Sequence, residues 1–242
     1  MFYIENPKTK GSGIVCCIPQ TGECPNKCED CFFQSGRSYL EPLKDNLPNI
    51  PPTSRHEGRV VRVNDGNDSN VNRKATMEMA QQFTMKFYNT AIPEHLDTFD
   101  APVVLTINPG KMTDEQFHHI NPVPGNLMFV RFRTNTWNLE LCSRAVDYYS
   151  ELDTPVVLTF MAYFDGNILK GHENNYIFRK RTLNSYNAIT TDAWEKVMFQ
   201  YKYNKWVYSC GKIEGEKGTT ACKHCGNCLR EYFTTMERMI LY

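Results

Sequence analysis

Short apolar runs alternate along the chain with longer segments whose apolar residues recur every three or four positions. The runs are rich in Val, Ile, Leu and Phe, and several end in residues that favour turns. They predict strands at residues 13–19, 59–64, 102–107, 126–133, 155–160 and 205–209. The longer segments predict helices at residues 75–89, 138–150, 191–200 and 229–241, with Thr191 and Asp192 as the N-terminal cap of the third.

The order of these elements predicts an α/β fold. Strands that are apolar along most of their length are typical of parallel sheets buried on both faces. Six strands are too few to close an eight-strand barrel, so we expect a partial (β/α)6 barrel over residues 1–208. Residues 209–242 are rich in cysteine and form a small predicted C-terminal metal-binding extension. In such folds the chemistry collects beyond the carboxyl ends of the strands.

Charge and hydropathy restrict the class of protein. The chain has 242 residues with 27 basic and 27 acidic side chains, so its formal net charge is zero. A bulk electrostatic affinity for nucleic acid or anionic lipid is therefore not indicated. No stretch approaches the roughly 18–20 apolar residues of a membrane span, and the first residues lack an apolar signal core. We expect a cytoplasmic protein with no membrane partner.

Seven of the ten cysteines fall into two groups. The first cysteine group is Cys24, Cys28 and Cys31, and the second cysteine group is Cys210, Cys222, Cys225 and Cys228. In a reducing compartment, thiols at gaps of two or three residues are usually metal ligands or catalytic groups. The length of the chain and the missing signal segment disfavour a secreted disulfide framework.

The first cysteine group has the spacing C-x3-C-x2-C and predicts an open metal site. Three thiolates from one short loop can hold three irons of a 4Fe–4S cubane, which leaves the fourth iron for a cofactor or substrate. A structural zinc site would need a fourth ligand. The next histidine downstream is His56, after a proline-rich loop, and Cys17 in the predicted first strand could in principle be recruited.

This loop resembles that of the radical S-adenosylmethionine superfamily, in which C-x3-C-x2-C follows the first strand of repeated β/α units. The resemblance implies that the first cysteine group holds a catalytic 4Fe–4S cluster, whose open iron binds the amino and carboxylate groups of S-adenosylmethionine. It implies reductive cleavage of this cofactor to a 5′-deoxyadenosyl radical, which takes hydrogen from a substrate that the sequence does not identify. It also implies a reducing partner of the flavodoxin or ferredoxin type.

The polar run after the predicted second strand is a candidate for binding the cofactor. Members of the superfamily often carry a Gly-Gly-Glu-like motif here, which accepts hydrogen bonds from the ammonium group of the cofactor. The run Asn64, Asp65, Gly66, Asn67 and Asp68 resembles it loosely. Such a run is also typical of an ordinary turn, and the choice between the two aspartates is open.

Two arginines and one phenylalanine complete the candidate cofactor site. Arg131 and Arg133 stand two apart on a predicted strand and therefore point to the same face. They could pair with the carboxylate of the cofactor or with an anionic substrate, or could lie in solvent at the end of the strand. The superfamily usually has an aromatic residue near the adenine, just before the third cysteine. Here Asp30 occupies that position, and Phe32 and Phe33 follow it as replacements.

The second cysteine group predicts a closed metal site. Four thiolates complete either a 4Fe–4S cluster or a tetrahedral zinc site, and His224 could replace one of them. The C-x2-C-x2-C run begins like a bacterial ferredoxin pattern, whereas zinc sites more often use paired C-x2-C units. Many members of the superfamily carry an auxiliary 4Fe–4S cluster near the C-terminus, and the resemblance implies one here.

A protein of a different class is also compatible with two cysteine groups. Zinc in both groups on an α/β scaffold would give a structural or nucleic-acid-interaction protein, although the zero net charge disfavours contact with nucleic acid. The two classes differ at the first cysteine group, because a binding module closes both metal sites and an enzyme leaves one open.

Overall fold

The computed structural model describes residues 2–28, 31, 33, 38–108, 123–164, 166–180, 185–211 and 222–240. Its strands are β1 Ile14–Cys17, β2 Val60–Val63, β3 Lys86–Thr90, β4 Val103–Ile107, β5 Leu127–Thr134, β6 Val156–Phe160, β7 Tyr176–Arg179, β8 Tyr186–Ile189 and β9 Val207–Ser209. Its α-helices are α1 Leu43–Asn46, α2 Thr53–His56, α3 Arg73–Ala80, α4 Leu139–Glu151, α5 Thr191–Gln200, α6 Cys222–Cys225 and α7 Asn227–Ile240.

Seven strands form one curled sheet in the order β1-β2-β3-β4-β5-β6-β9. All neighbouring strands in this sheet are parallel and succeed one another in chain order, as β/α crossover connections require. Within the described residues, β1 and β9 are the two edges, so the sheet is an open partial barrel. β7 and β8 form a separate antiparallel pair. The predicted α/β partial barrel is confirmed at this level.

The sheet contains one strand more than the six predicted. The helix prediction for residues 75–89 is wrong beyond Ala80, where α3 ends. Phe83 and Phe87 stand four residues apart, as on one helical face, but they are buried in different apolar clusters on opposite faces of the sheet. The chain between them turns, and β3 pairs with both β2 and β4. The apolar pattern also does not predict the β7–β8 pair.

The outer face of the sheet is covered by α3, α4 and α5. The spacing of apolar residues predicts α4 correctly, and its buried side chains are Cys142, Ala145, Val146 and Tyr149. The cap of α5 differs from the prediction, because the Thr190 hydroxyl accepts the hydrogen bond from the amide of Ala193 at 3.2 Å. Thr191 and Asp192 instead form the first turn of this helix.

The inner face of the sheet has an apolar layer and a polar layer. The inner apolar layer consists of Ile14, Val60, Phe87, Val104, Phe129 and Val157, and Tyr232, Leu229 and Cys228 of α7 pack against it. Two residues further along each strand, and hence on the same face, stands a polar residue. This inner polar layer consists of Cys16, Arg62, Asn89, Thr106, Arg131 and Thr159. α7 therefore covers the inner face of the sheet near the amino ends of the strands. The inner polar layer lies closer to their carboxyl ends.

Candidate metal and cofactor site

The loop after β1 carries the first cysteine group. The backbone groups of Ile18 and Asn49 exchange hydrogen bonds of 3.0 and 2.8 Å, which fix the chain where it leaves the strand. Cys24, Cys28 and Cys31 follow as partly buried, reduced thiols. Burial raises the pKa of the Cys24 thiol to about 12, and the charges of the other two cysteines act in the same direction. The amide of Cys31 donates to the Cys28 carbonyl at 3.2 Å, so these two cysteines belong to one tight turn.

Within the part of the chain that the structure describes, no three Cys, His, Asp or Glu side chains are arranged to hold a metal ion. A 4Fe–4S cubane makes a different demand from a single ion, because each thiolate binds a different iron and the sulfur atoms stay further apart. Metals bind the thiolate form of cysteine, so each of these thiols would lose its proton when a metal binds. Asp30 and Phe32, on either side of Cys31, lie outside the described residues.

Asp68 anchors the cysteine loop to the sheet. Its carboxylate is 2% exposed and accepts hydrogen bonds from the side-chain amide of Asn26 and from the backbone amides of Asn70 and Ala91, at 2.7, 2.8 and 2.7 Å. The hydroxyl of Thr90 donates a further bond of 2.7 Å. A carboxylate offers about four lone-pair positions, so these donors saturate it. Asp68 thus joins the cysteine loop to the end of β3 and has no acceptor position left for an ammonium group.

Asn64 and Asn67 lie in the loop after β2, which also contains Asp68. Asn64 has a φ of 62°, in the left-handed region that asparagine tolerates better than most residues. Its backbone amide donates to the Cys17 carbonyl at 2.7 Å, and its side-chain amide donates to the Ser69 hydroxyl at 3.0 Å. The Asn64 Oδ1 atom is buried and has no hydrogen-bond partner in the described residues. The side-chain amide of Asn67 donates to the Gly22 carbonyl at 3.0 Å and so ties the two loops together.

Gly66 and Phe33 are in direct contact between these loops. A Cβ atom added at Gly66 would lie 2.1 Å from two ring atoms of Phe33, so only glycine leaves room for the ring. Phe33 is 7% exposed and packs with Ile18, Leu40 and Leu43 in a small apolar cluster. Phe33, one of the two residues that the resemblance suggests for the adenine contact, therefore also packs within the protein itself.

Asp65 belongs to an interior polar group that the sequence pattern does not predict. Its carboxylate forms an ion pair with Arg62 and accepts a 2.6 Å hydrogen bond from the side-chain amide of Asn6. Burial alone would raise the pKa of Asp65, but the charge of Arg62 and the hydrogen bond from Asn6, with smaller contributions from Cys16 and Arg131, together hold that pKa below its usual range. Arg62 also donates to the Cys16 sulfur at 3.2 Å. Arg62 stands two residues before Asn64 and therefore points to the same face. The alternation rule that identifies Arg131 and Arg133 would thus also have identified Arg62 as a candidate.

Arg131 and Arg133 lie on the inner face of β5, as predicted, while Val130 and Phe132 are buried in the outer core. The Nη1 atom of Arg131 donates to Oδ1 of Asn89 at 3.1 Å. The guanidinium carbon of Arg131 lies 5.7 Å from the centre of the Phe129 ring. Arg133 is directed towards β6, where its Nε atom lies 3.2 Å from the sulfur of Met161. The two arginines therefore share a face but have different neighbours.

The second cysteine group lies where the end of β9, the N-terminal segment and α7 meet. The amide of Cys222 donates to the Lys8 carbonyl at 2.9 Å, and the side-chain amide of Asn227 donates to the Ser209 carbonyl at 3.1 Å. Burial raises the pKa of the Cys228 thiol to about 12, although Arg131 and Arg62 oppose this change. Cys210 and His224 are exposed.

Several buried polar atoms near the carboxyl ends of the strands have no hydrogen-bond partner in the described residues. They include Nε of Arg62, Oδ1 of Asn64, Nδ2 of Asn108 and Oγ1 of Thr159. Unsatisfied buried donors and acceptors are uncommon in folded proteins and often mark a position that a water or ligand occupies. This end of the half-barrel, which also carries the first cysteine group, thus offers several unpaired polar groups to water or to a bound polar molecule.

No protein-family model, curated protein or solved structure matches the chain. None of its described helices combines the length and apolar character needed to cross a bilayer.

An open groove of about 630 Å³ lies along α3, with Arg73, Lys74 and Met77 among its lining residues, and it contains no cysteine. The chemistry of the two cysteine groups and the inner polar layer is therefore the best guide to function.

Proposed function

We propose that this protein is a radical S-adenosylmethionine enzyme. The observation that carries the proposal is the position of the first cysteine group. Three thiols on one loop follow β1 at the carboxyl end of a curled parallel sheet, which is where partial β/α barrels gather their chemistry. The loop supplies three thiolates and thus leaves an open iron on a cubane.

Cys24, Cys28 and Cys31 would hold the 4Fe–4S cluster in this proposal. When bound, the cluster and S-adenosylmethionine would together supply one-electron radical chemistry, with electrons from a flavodoxin- or ferredoxin-type partner. The protein positions the loop through Asp68 and excludes water by packing Phe33 over Gly66. Because a cluster binds thiolates, loading it would release the protons of these thiols.

The loop after β2 and the two arginines of β5 would orient the cofactor and the substrate. The free Oδ1 of Asn64 suits an ammonium donor, whereas the oxygens of Asp68 are occupied and those of Asp65 are paired with Arg62. Arg131 and Arg133 would offer their guanidinium groups to the carboxylate of the cofactor or to an anionic substrate.

The proposal is tested by anaerobic reconstitution with iron and sulfide, followed by dithionite and S-adenosylmethionine, with 5′-deoxyadenosine measured by mass spectrometry. We expect brown protein that forms 5′-deoxyadenosine, and loss of this product in Cys28→Ala. Cys142→Ala is the matched control, because Cys142 lies on α4 and is buried in the core on the outer face of the sheet, so its replacement should leave the product unchanged. Colourless protein with stoichiometric zinc at both cysteine groups would instead identify a zinc-binding structural or nucleic-acid-interaction protein.

A further inference from the structure

The β7–β8 pair is fixed to the carboxyl end of the main sheet. Tyr163, which follows β6, and Asn187 of β8 exchange backbone hydrogen bonds of 2.9 and 2.6 Å. The centre of the Tyr163 ring also lies 5.6 Å from that of Tyr176 and 4.8 Å from that of Trp137. The pair is therefore a preformed surface, and it stands at the same end of the sheet as the loop of the first cysteine group.

Phe178 of β7 directs its backbone groups away from β8. Facing residues in an antiparallel pair alternate between those that exchange hydrogen bonds and those that do not. Phe178 faces Asn187, whose N–H and C=O groups are both bonded to Tyr163 on the other side of β8. The N–H and C=O of Phe178 therefore point outward, and no described backbone group pairs with them. β7 is thus an open edge to which a further strand can add.

The side chains along this edge are apolar at one end and basic at the other. Ile177 and Phe178 are 46% and 53% exposed, and Arg179 and Lys180 after them are also exposed. Among the described residues, no carboxylate oxygen lies within 4.0 Å of either cation. Facing side chains on neighbouring strands contact each other, so apolar residues followed by acidic ones would match this edge. A second copy of the chain would bring further cations to it, so charge favours an acidic partner.

We propose that β7 binds an extended polypeptide segment, in which acidic residues stand next to apolar ones, as an added strand. The backbone of the segment exchanges hydrogen bonds with Phe178, and its carboxylates pair with Arg179 and Lys180. Strand addition recognises an extended backbone through its own N–H and C=O groups, so the partner is a polypeptide. The inference goes beyond the proposed function and does not depend on it, because the edge contains no metal ligand.

The test measures the fluorescence anisotropy of a labelled peptide with two glutamates next to two valines, mixed with the metal-free full chain. We expect saturable binding. The same peptide with its backbone amides N-methylated should bind about tenfold more weakly, because methylation removes hydrogen-bond donors and leaves the charges in place. Equal affinities for the two peptides would overturn the inference, and so would the absence of binding.

Charge reversal on the protein tests the basic end of the edge. Arg179→Glu combined with Lys180→Glu should weaken binding about tenfold and should favour a peptide with lysines in place of the glutamates. Lys44→Glu combined with Lys74→Glu is the matched control, because it changes the net charge equally at exposed positions on other helices. Equal weakening by the two pairs of substitutions would mean that attraction is not local to β7, which contradicts the proposal.

Phe178→Pro tests the backbone contact from the side of the protein. Proline removes an N–H that points away from β8, so the β7–β8 ladder keeps its hydrogen bonds. We expect the peptide affinity to fall while the midpoint of urea unfolding stays close to that of the parent. Light scattering completes the test, because a dimer that Phe178→Pro abolishes would identify a second copy of this chain as the occupant and overturn the acidic partner.

Discussion

Gly66 is in direct contact with Phe33 of the other loop of the site. Replacement by Ala would put a methyl group 2.1 Å from the ring of Phe33, and the ring has little freedom to move because it is buried among aliphatic side chains. Overpacking of this kind typically costs about 1–3 kcal/mol. We therefore expect Gly66→Ala to lower the free energy of unfolding by that amount, as measured by urea denaturation.

Gly22→Ala is the matched control for this prediction, because nothing lies within 4 Å of a Cβ atom added there. Its effect should stay within about 0.5 kcal/mol. A double-mutant cycle with Phe33→Ala should recover part of the loss at Gly66, since the smaller side chain removes the clash. Additive effects of the two substitutions would contradict the contact.

The sequence predicts some of these residues and misses others for a simple physical reason. The alternation of side chains along a strand is local, so it assigns Arg131 and Arg133 to one face. The same rule applied to β2 would have identified Arg62. Asn6 is beyond any local rule, because it reaches Asp65 from 59 residues away in the chain. The saturated state of Asp68 likewise depends on donors from three separate segments.

At the scale of elements, α7 contributes to stability through one face only. Tyr232 is 3% exposed within the inner apolar layer, whereas its neighbour Phe233 is 51% exposed. Removal of a large buried aromatic side chain typically costs about 3–5 kcal/mol. We expect Tyr232→Ala to destabilise the protein by roughly this amount in chemical denaturation, and Phe233→Ala by less than about 1 kcal/mol. Equal losses would mean that α7 does not pack as described.

Elements with long periodic patterns are predicted best. The four buried positions of α4 follow helical spacing and match the structure. β3 is missed because Phe83 and Phe87 imitate that spacing, and only the gap between β2 and β4 shows that the second of them belongs to a strand. The partial barrel itself is predictable, since it follows from the order of apolar strands, but the strand count depends on this tertiary context.

At the scale of the whole molecule, the ion pair of Asp65 with Arg62 links stability to pH. The pKa of Asp65 is lower in the folded protein than in the unfolded chain, because the charge of Arg62 and the hydrogen bonds to the carboxylate together outweigh burial. The ionised carboxylate of Asp65 stabilises the folded state fully above the ordinary aspartate pKa of roughly 4. This stabilisation is lost as the pH falls through the lower pKa that Asp65 has in the folded state. Acidification below about pH 4 should therefore destabilise the protein partly through this group.

Urea unfolding of metal-free protein at a series of pH values measures this effect. Asp65→Asn should be less stable at neutral pH, and its free energy of unfolding should fall less steeply in the acidic range. Asp97→Asn, at an exposed position, should retain the slope of the parent protein. A slope that is identical in parent and Asp65→Asn would show that another group carries the acid sensitivity.

The packing of α7 into the half-barrel also has a consequence for synthesis on the ribosome. The apolar residues that α7 covers, such as Ile14 and Val60, belong to the first strands of the chain, whereas α7 begins at Asn227. At about 5–20 residues per second, translation delivers the helix on the order of ten seconds or more after β1. During that interval the nascent sheet presents an uncovered apolar surface, so a chaperone that shields it would raise the yield of folded protein.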